Sequence, residues 1–444
     1  MKSGTCGSIE ETSGKIAAGL SPVKIVEGCL ERIHDLNEQI RAMIFVDEAG
    51  ALDAALRARD EIQSGHRRGP LHGVPIAIKD VFDVENWPTT AGSRLFGNRV
   101  VQHTAACVAK LQAAGAIIIG KTNLHELCVG GHDNPWYGKV ANPLDESLGT
   151  GGTSSGSAAA VAAGFCAAAI GTDTGGSNRS PAAATGLFGY KPTNGLIGSK
   201  GVMSTAPSLD CVGVLARSVS DVRVVTETLA GKRLSLPGNA HRDDRSTNSI
   251  TIGVCPELIG AAVDDTVETA LAAMLNHPKV RAIEIAFDDR EAFVAAGMTI
   301  LQCEFAQIYR DPIEESPDLV GDAVLAFLQD GLRISADAYD EAVEIRYNVR
   351  GQFLEKMAGV DALAIPTAPG SAPRLSDELT RVNGEMVPWG MAGGRFRRWA
   401  NMLGVPALAM PLRVPNELPV SIQLAALPGQ DAALLQLADV LASR

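Results

Sequence analysis

The sequence predicts an α/β fold, and three observations carry that prediction. Short apolar runs that close on Gly or charged residues, such as Gly73-Val-Pro-Ile-Ala-Ile-Lys79-Asp80 and Ala116-Ile-Ile-Ile119-Gly120, have the length and composition of buried strands. Between them lie segments whose apolar residues recur at helical spacing, and the same alternation returns after residue 250. With 444 residues, 46% of them hydrophobic, the chain can bury a large core without staples.

Taken in order, Ser21-Pro22 offers a cap and a first-turn proline, and Val23, Val26, Leu30 and Ile33 continue as an apolar helical stripe. Ala49 to Ile62 is a second helix ending near Ser64-Gly65, so residues 1–70 form a helical lead-in. Residues 71–235 make the central segment. There the Gly73–Asp80 strand runs into a loop, Thr104 to Ala114 is helical, and Ala116–Ile119 is a strand closing on Gly120-Lys-Thr-Asn123. Ser157 to Ala169 is an Ala-rich helix thin enough to approach a sheet, Gly171-Thr-Asp-Thr-Gly-Gly-Ser177 is a loop, and Pro181 opens another helix. The Pro, Asn, Asp, Arg and Ser between Leu236 and Asn248 mark an exposed loop or boundary. Residues 250–444 resume the rhythm. Ile250–Val254 and Val280–Ile285 are strands, Val263–Leu275 a helix, and Tyr339–Met357 a long helix feeding a strand that ends on Pro366; Trp399–Pro411 and Val420–Leu424 add a helix end and strands. No repeat, heptad or low-complexity tract divides the chain, so one domain over 1–444 is expected.

Charge and composition narrow the partners. A net charge of −12, with no basic block bearing interleaved aromatics, disfavours direct nucleic-acid binding. No run approaches the length of a membrane span and the first residues lack a signal-type apolar core, which predicts a cytoplasmic protein with no membrane contact. Eight scattered cysteines, none in a CxxC pair, predict free thiols, several of them buried.

For chemistry, the Gly171–Ser177 loop lacks the lysine of a nucleotide-phosphate loop, but its glycines can expose backbone N–H groups beside a serine. Ser177 is therefore the best nucleophile candidate, with Thr174, Gly175, Gly176 and Ser177 as oxyanion-hole amides. Ser177 does not sit in a G-x-S-x-G elbow, and no histidine spacing suits a metal or a Ser-His-Asp triad. A lysine withdrawn from water can act as a base, and Lys79 ends an apolar strand, with Thr153 or Ser154 as a hydroxyl relay. Each residue alone also fits a plainer role: a strand-end charge, a turn hydroxyl, a helix cap.

Together, Gly151-Gly-Thr-Ser-Ser-Gly-Ser-Ala-Ala-Ala-Val-Ala-Ala-Gly164, Gly171-Thr-Asp-Thr-Gly-Gly-Ser-Asn-Arg-Ser-Pro-Ala-Ala183 and Gly189-Tyr-Lys-Pro-Thr193 strongly resemble the amidase signature family, and the likeness extends from about Ser21 to Leu441. The resemblance implies a central mixed, mostly parallel sheet surrounded by helices. It implies Lys79 as base, Ser177 as acylated nucleophile, and Thr153 where the family has a bridging serine joined through a cis peptide; a cis Gly152–Thr153 bond is therefore expected, with Ser154 as alternate relay. Asp173 and Arg179 are expected to be structural.

The implied activity is hydrolysis of the C–N bond of a small carboxylic or urea-like amide, releasing ammonia or an amine, with no metal or organic cofactor. Arg346 matches the arginine that holds the glutamine carboxylate in the glutaminase A-type subunit of tRNA-dependent amidotransferases, whereas Gly394 stands where that subunit has an aspartate for the amino group. A carboxylate-bearing substrate without an amino group is the resulting expectation, held by Arg346 with support from Arg395, Arg397 or Arg398, and with Asn178 as a further polar contact. The amidotransferase subunit, an aryl- or indole-acetamide hydrolase and a non-catalytic scaffold are the alternatives. A homodimer is the default expectation.

Overall fold

The computed structural model describes residues 6–236, 249–256, 263–287, 290–412, 414 and 417–442. One 11-stranded sheet runs through these residues. From edge to edge its strands are Met43–Val46, Ile117–Thr122, Pro75–Lys79, Ala168–Asp173, Cys211–Ala216, Phe188–Lys191, Ala407–Leu412, Val420–Ala425, Ala362–Pro366, Ile250–Val254 and Val280–Glu284. The sheet is mixed, as the resemblance implies. Four pairings are parallel, joining Ile117–Thr122, Pro75–Lys79 and Ala168–Asp173 on one side and Ala362–Pro366, Ile250–Val254 and Val280–Glu284 on the other; six are antiparallel, five in the middle and one that adds Met43–Val46 at the edge. Of the boundary expected between Leu236 and Asn248, residues 237–248 lie outside the described residues.

The lead-in forms as its capping residues dictate. Ser21 Oγ accepts from Val23 N at 3.2 Å with Pro22 at the first helical position, and the helix Pro22–Ile40 buries Val26, Cys29 and Ile33. Asp47 caps Glu48–Gln63. All eight cysteines are free and all but Cys303 are buried. No described helix is long and apolar enough to cross a membrane.

The centre departs from the expected boundaries in one instructive way. The Ala-rich helix spans Ser155–Ala163 rather than Ser157–Ala169, because Gly164 takes φ 78° as a left-handed C-cap and stops it. The alanines beyond it, Ala168 and Ala169, belong to a fully buried strand. With small side chains this helix lies close against that sheet: Ser157 Oγ meets Thr122 Oγ1 at 2.7 Å and donates to Ile170 O at 3.3 Å.

Pro75–Lys79 and Ala168–Asp173 pair in parallel with Ile78 opposite Ile170, so both chains leave the sheet at the same edge. Lys79 and the loop after Asp173 therefore meet at the carboxyl ends of neighbouring parallel strands, where open α/β sheets place their ligand sites.

Candidate active site

Lys79 is completely buried. Its Nζ donates to Thr153 Oγ1 and to Thr172 Oγ1, each at 3.0 Å, and no carboxylate among the described residues pairs with it. Thr172 is absent from the sequence-based candidates; the parallel register signals it, since it lies just past the point opposite Lys79 on the adjoining strand. Thr153 and Ser177 are only half-buried.

The relay and nucleophile loops are fastened together. Ser154 N donates to Ser177 O at 3.3 Å, and Ser180 Oγ donates to Gly151 O. Trp389, fully buried, donates from Nε1 to the same carbonyl at 2.5 Å and to Ser180 Oγ at 3.0 Å. Gly152 is packed so tightly that a Cβ would stand 2.6 Å from Pro181 Cδ. The Gly152–Thr153 bond, expected to be cis, is trans like every described peptide bond; Thr153 reaches Lys79 from the form that a non-prolyl bond prefers. Ser177 Oγ has no hydrogen-bond partner among the described residues, so no Thr153–Ser177 hydrogen bond is formed.

Ser154, the alternate relay, is turned elsewhere: its hydroxyl bonds Thr172 O at 3.2 Å and Asn178 Oδ1 at 3.0 Å. Asn178, expected to touch substrate, is wholly buried between Gly171 and Gly213 of the sheet rather than open to the cleft.

The oxyanion loop is built on an ion pair. Asp173 receives Arg179 Nη2 at 2.9 Å and Nε at 3.0 Å, and both side chains are fully buried. Burial alone would raise the Asp173 carboxyl, but Arg179's charge and hydrogen bonds hold it well below the usual carboxylate range. Asp173 Oδ1 also accepts Gly176 N at 2.8 Å, and Oδ2 accepts Asn178 N at 3.2 Å. Gly176 is thereby withdrawn from the expected oxyanion set, because its amide is already paired. The amides of Thr174, Gly175 and Ser177 have no acceptor among the described residues and remain available. Gly176 itself holds φ 113°, with a would-be Cβ 2.6 Å from Arg397 Cβ, so both backbone and space require glycine.

Of the expected arginines, Arg346 and Arg395 lie away from the Ser177 loop. Arg346 donates to Met402 O at 2.7 Å, Ser208 Oγ at 3.1 Å and Ser208 O at 3.0 Å, tying two helices and a loop together. Arg395 is exposed and borders an apolar pocket with Phe353 and Trp399. Arg397 and Arg398 lie closer: they pack against Gly176 and Gly175 respectively.

Behind the relay loop, His125, His132, Ser155 and Glu378 line a small enclosed pocket with Thr150 and Gly151. Burial pushes the His125 imidazole down to about 4. The folded protein thus resists a proton that the unfolded chain accepts near pH 6.5. His125 contributes stability that is complete above that value and is lost as pH falls toward 4, by up to about 3 kcal/mol. The thermal midpoint of the protein is expected to drop between pH 7 and pH 4.5, and His125→Asn to drop less over the same window.

The fold defines the class: an α/β enzyme that acts on amide C–N bonds. The family model described as Amidase matches residues 24–435, and the chain belongs to this family of enzymes that act on amide C–N bonds. The A-type subunit of glutamyl-tRNA(Gln) amidotransferase from Anaeromyxobacter dehalogenans (strain 2CP-C) is 32% identical over 473 residues, covering 98% of this chain and 95% of that protein. A crystal structure of an amidase superposes with a TM-score of 0.90 at 32% identity, covering 98% of this chain and 99% of that one. A chain from a vestigial protein complex that reveals the evolutionary origins of an s-triazine catabolic enzyme gives a TM-score of 0.90 at 27% identity, covering 98% of each chain.

Proposed function

We infer that the protein is an amidohydrolase cleaving a small carboxylic or urea-like amide through a Ser177 acyl-enzyme, acting in the cytoplasm on a small-molecule substrate. The observation that carries this reading is the buried Lys79 amine bonded at 3.0 Å to Thr153, which stands on the loop fastened to Ser177. Ser177 Oγ attacks the carbonyl carbon. Its proton passes to Thr153 as Thr153 passes its own to Lys79, and the carbonyl oxygen gains negative charge facing the amides of Thr174, Gly175 and Ser177. The C–N bond then breaks, and Lys79 returns the proton through Thr153 to the leaving nitrogen. Water, activated along the same route, hydrolyses the ester and frees Ser177. Asp173 and Arg179 hold the loop and exchange no proton in this cycle.

Ammonia release from purified protein across a panel of small aliphatic, aryl and urea-type amides tests the reading. Turnover of at least one class, abolished in Ser177→Ala, is expected; equal turnover in that variant refutes it. A second reading, the glutaminase component of a tRNA-dependent amidotransferase, is favoured by the 32% identity to such a protein over nearly the whole chain. It requires glutamine as substrate and a stable partner complex. Gly394 in place of the aspartate that takes the glutamine ammonium counts against it.

A further inference from the structure

Three glycines on three segments enclose the side chain of Arg398, which arises from the helix Trp389–Leu403. A Cβ on Gly175, in the loop before Ser177, would lie 3.7 Å from Arg398 Nε. A Cβ on Gly297, in the helix Arg290–Glu315, would lie 2.7 Å from Arg398 Cδ, closer than any side chain tolerates. One turn back on its own helix, Gly394 leaves open the space under the guanidinium, with Nη2 3.4 Å from the position of the missing Cβ. The long cationic side chain is therefore led to the nucleophile loop and held there.

What it meets there is not an anion of the protein. Arg398 Nε is sealed from solvent with no acceptor, and no carboxylate among the described residues pairs with the guanidinium. Burial works against its charge, with no compensating acid. The acids described around the Ser177 loop have other partners. Asp173 is held by Arg179 and Asn401, Asp210 by Thr174, Ser204 and the amides of Thr205 and Ala206, and Glu378 by His132. Arg397, the adjacent residue, also has an unpaired Nε, but its Nη1 donates to Thr367 O at 2.8 Å and its guanidinium lies 6.0 Å from the Trp389 ring centre. A guanidinium stays charged in proteins; Arg398 is half-buried, and leaving its Nε sealed from water without a partner is costly. A ligand carboxylate would remove that cost through paired N–H···O bonds.

We propose that Arg398 binds a carboxylate of the substrate beside the oxyanion loop and makes this enzyme selective for anionic amides. This assignment rests on the Ser177 amidase reading. Of the four arginines the sequence offers for this task, Arg346 is tied to protein carbonyls and Arg395 is turned to a different pocket.

The test compares malonamate and succinamate with the uncharged propionamide and butyramide, in wild type, Arg398→Gln and Arg398→Lys. The ratio of kcat/KM for charged over uncharged amides should fall at least tenfold in Arg398→Gln, mainly through KM, with Arg398→Lys keeping more of the ratio than Arg398→Gln. Gly394→Asp provides the same test with Arg398 intact, by placing an internal carboxylate under the guanidinium, and should lower the ratio likewise. A fall of less than tenfold in folded Arg398→Gln, or in Gly394→Asp where Arg398→Gln does not fold, overturns the assignment. Wild-type turnover of only the uncharged pair also overturns it while leaving the amidase reading intact. No turnover of any of the four amides, with Ser177 unlabelled, overturns both.

Discussion

Replacing Lys79 by methionine is expected to lower kcat by roughly 10³-fold or more while the protein stays folded. Methionine matches the lysine stem in length and apolarity, so the end of the strand Pro75–Lys79 remains filled. No carboxylate among the described residues is orphaned by the loss of the amine, since the Nζ bonds described there are to the hydroxyls of Thr153 and Thr172. The effect therefore falls on proton transfer rather than on stability. Thr153→Ala breaks the same route one step on and should cost about 10²-fold or more. Ser154→Ala should cost less, because its hydroxyl is committed to Thr172 O and Asn178. Steady-state ammonia release, with circular dichroism as the folding control, reads all three; full turnover in Thr153→Ala with loss in Ser154→Ala would reverse the relay assignment.

Arg179→Met should instead act on stability. It leaves the Asp173 carboxylate buried with its main counter-charge gone, and deprives Arg397 O, Gln423 Oε1 and Asn401 Oδ1 of donors bonded at 2.7–2.9 Å. Breaking such a pair costs about 3–5 kcal/mol, which for a chain of this size lowers the thermal midpoint by about 4 °C. Asp173→Asn combined with Arg179→Met should cost less than the sum of the two single changes, because the double variant no longer buries an unpaired charge. Additive losses would mean that the two side chains do not act as a pair. Activity should fall with stability, since Asp173 also holds Gly176 N and Asn178 N and so shapes the loop before Ser177.

Residues whose role is local are legible in the sequence. An apolar strand ending in Lys79, a glycine loop ending in Ser177 and a Ser-Pro helix start each carry their signal within a few positions, and the folded chain has them as strand end, loop and capped helix. The Ala-rich stretch reads too long because alanine favours helix wherever burial does not decide; Gly164 supplies the stop and the sheet claims Ala168 and Ala169. Partners brought in from far along the chain leave no such local trace. Trp389 on the Gly151 carbonyl and Asn401 on Asp173 join residues more than 200 positions apart, a juxtaposition that strand order alone creates. The arginines show the same limit. Four of them, Arg346, Arg395, Arg397 and Arg398, can be offered to a carboxylate from the sequence, but only packing separates the one tied to backbone carbonyls from the one led by three glycines to the nucleophile loop.

Rapid-quench peptide mass spectrometry, using the best-turned-over amide from the panel, tests most directly whether Ser177 carries the acyl group during turnover. The expected result is a mass increase equal to the acyl group, confined to the peptide containing Ser177, appearing before steady-state ammonia release and absent in Ser177→Ala. Sustained turnover with Ser177 unmodified at every quench time, or the acyl group found on another residue, would contradict the acyl-enzyme route.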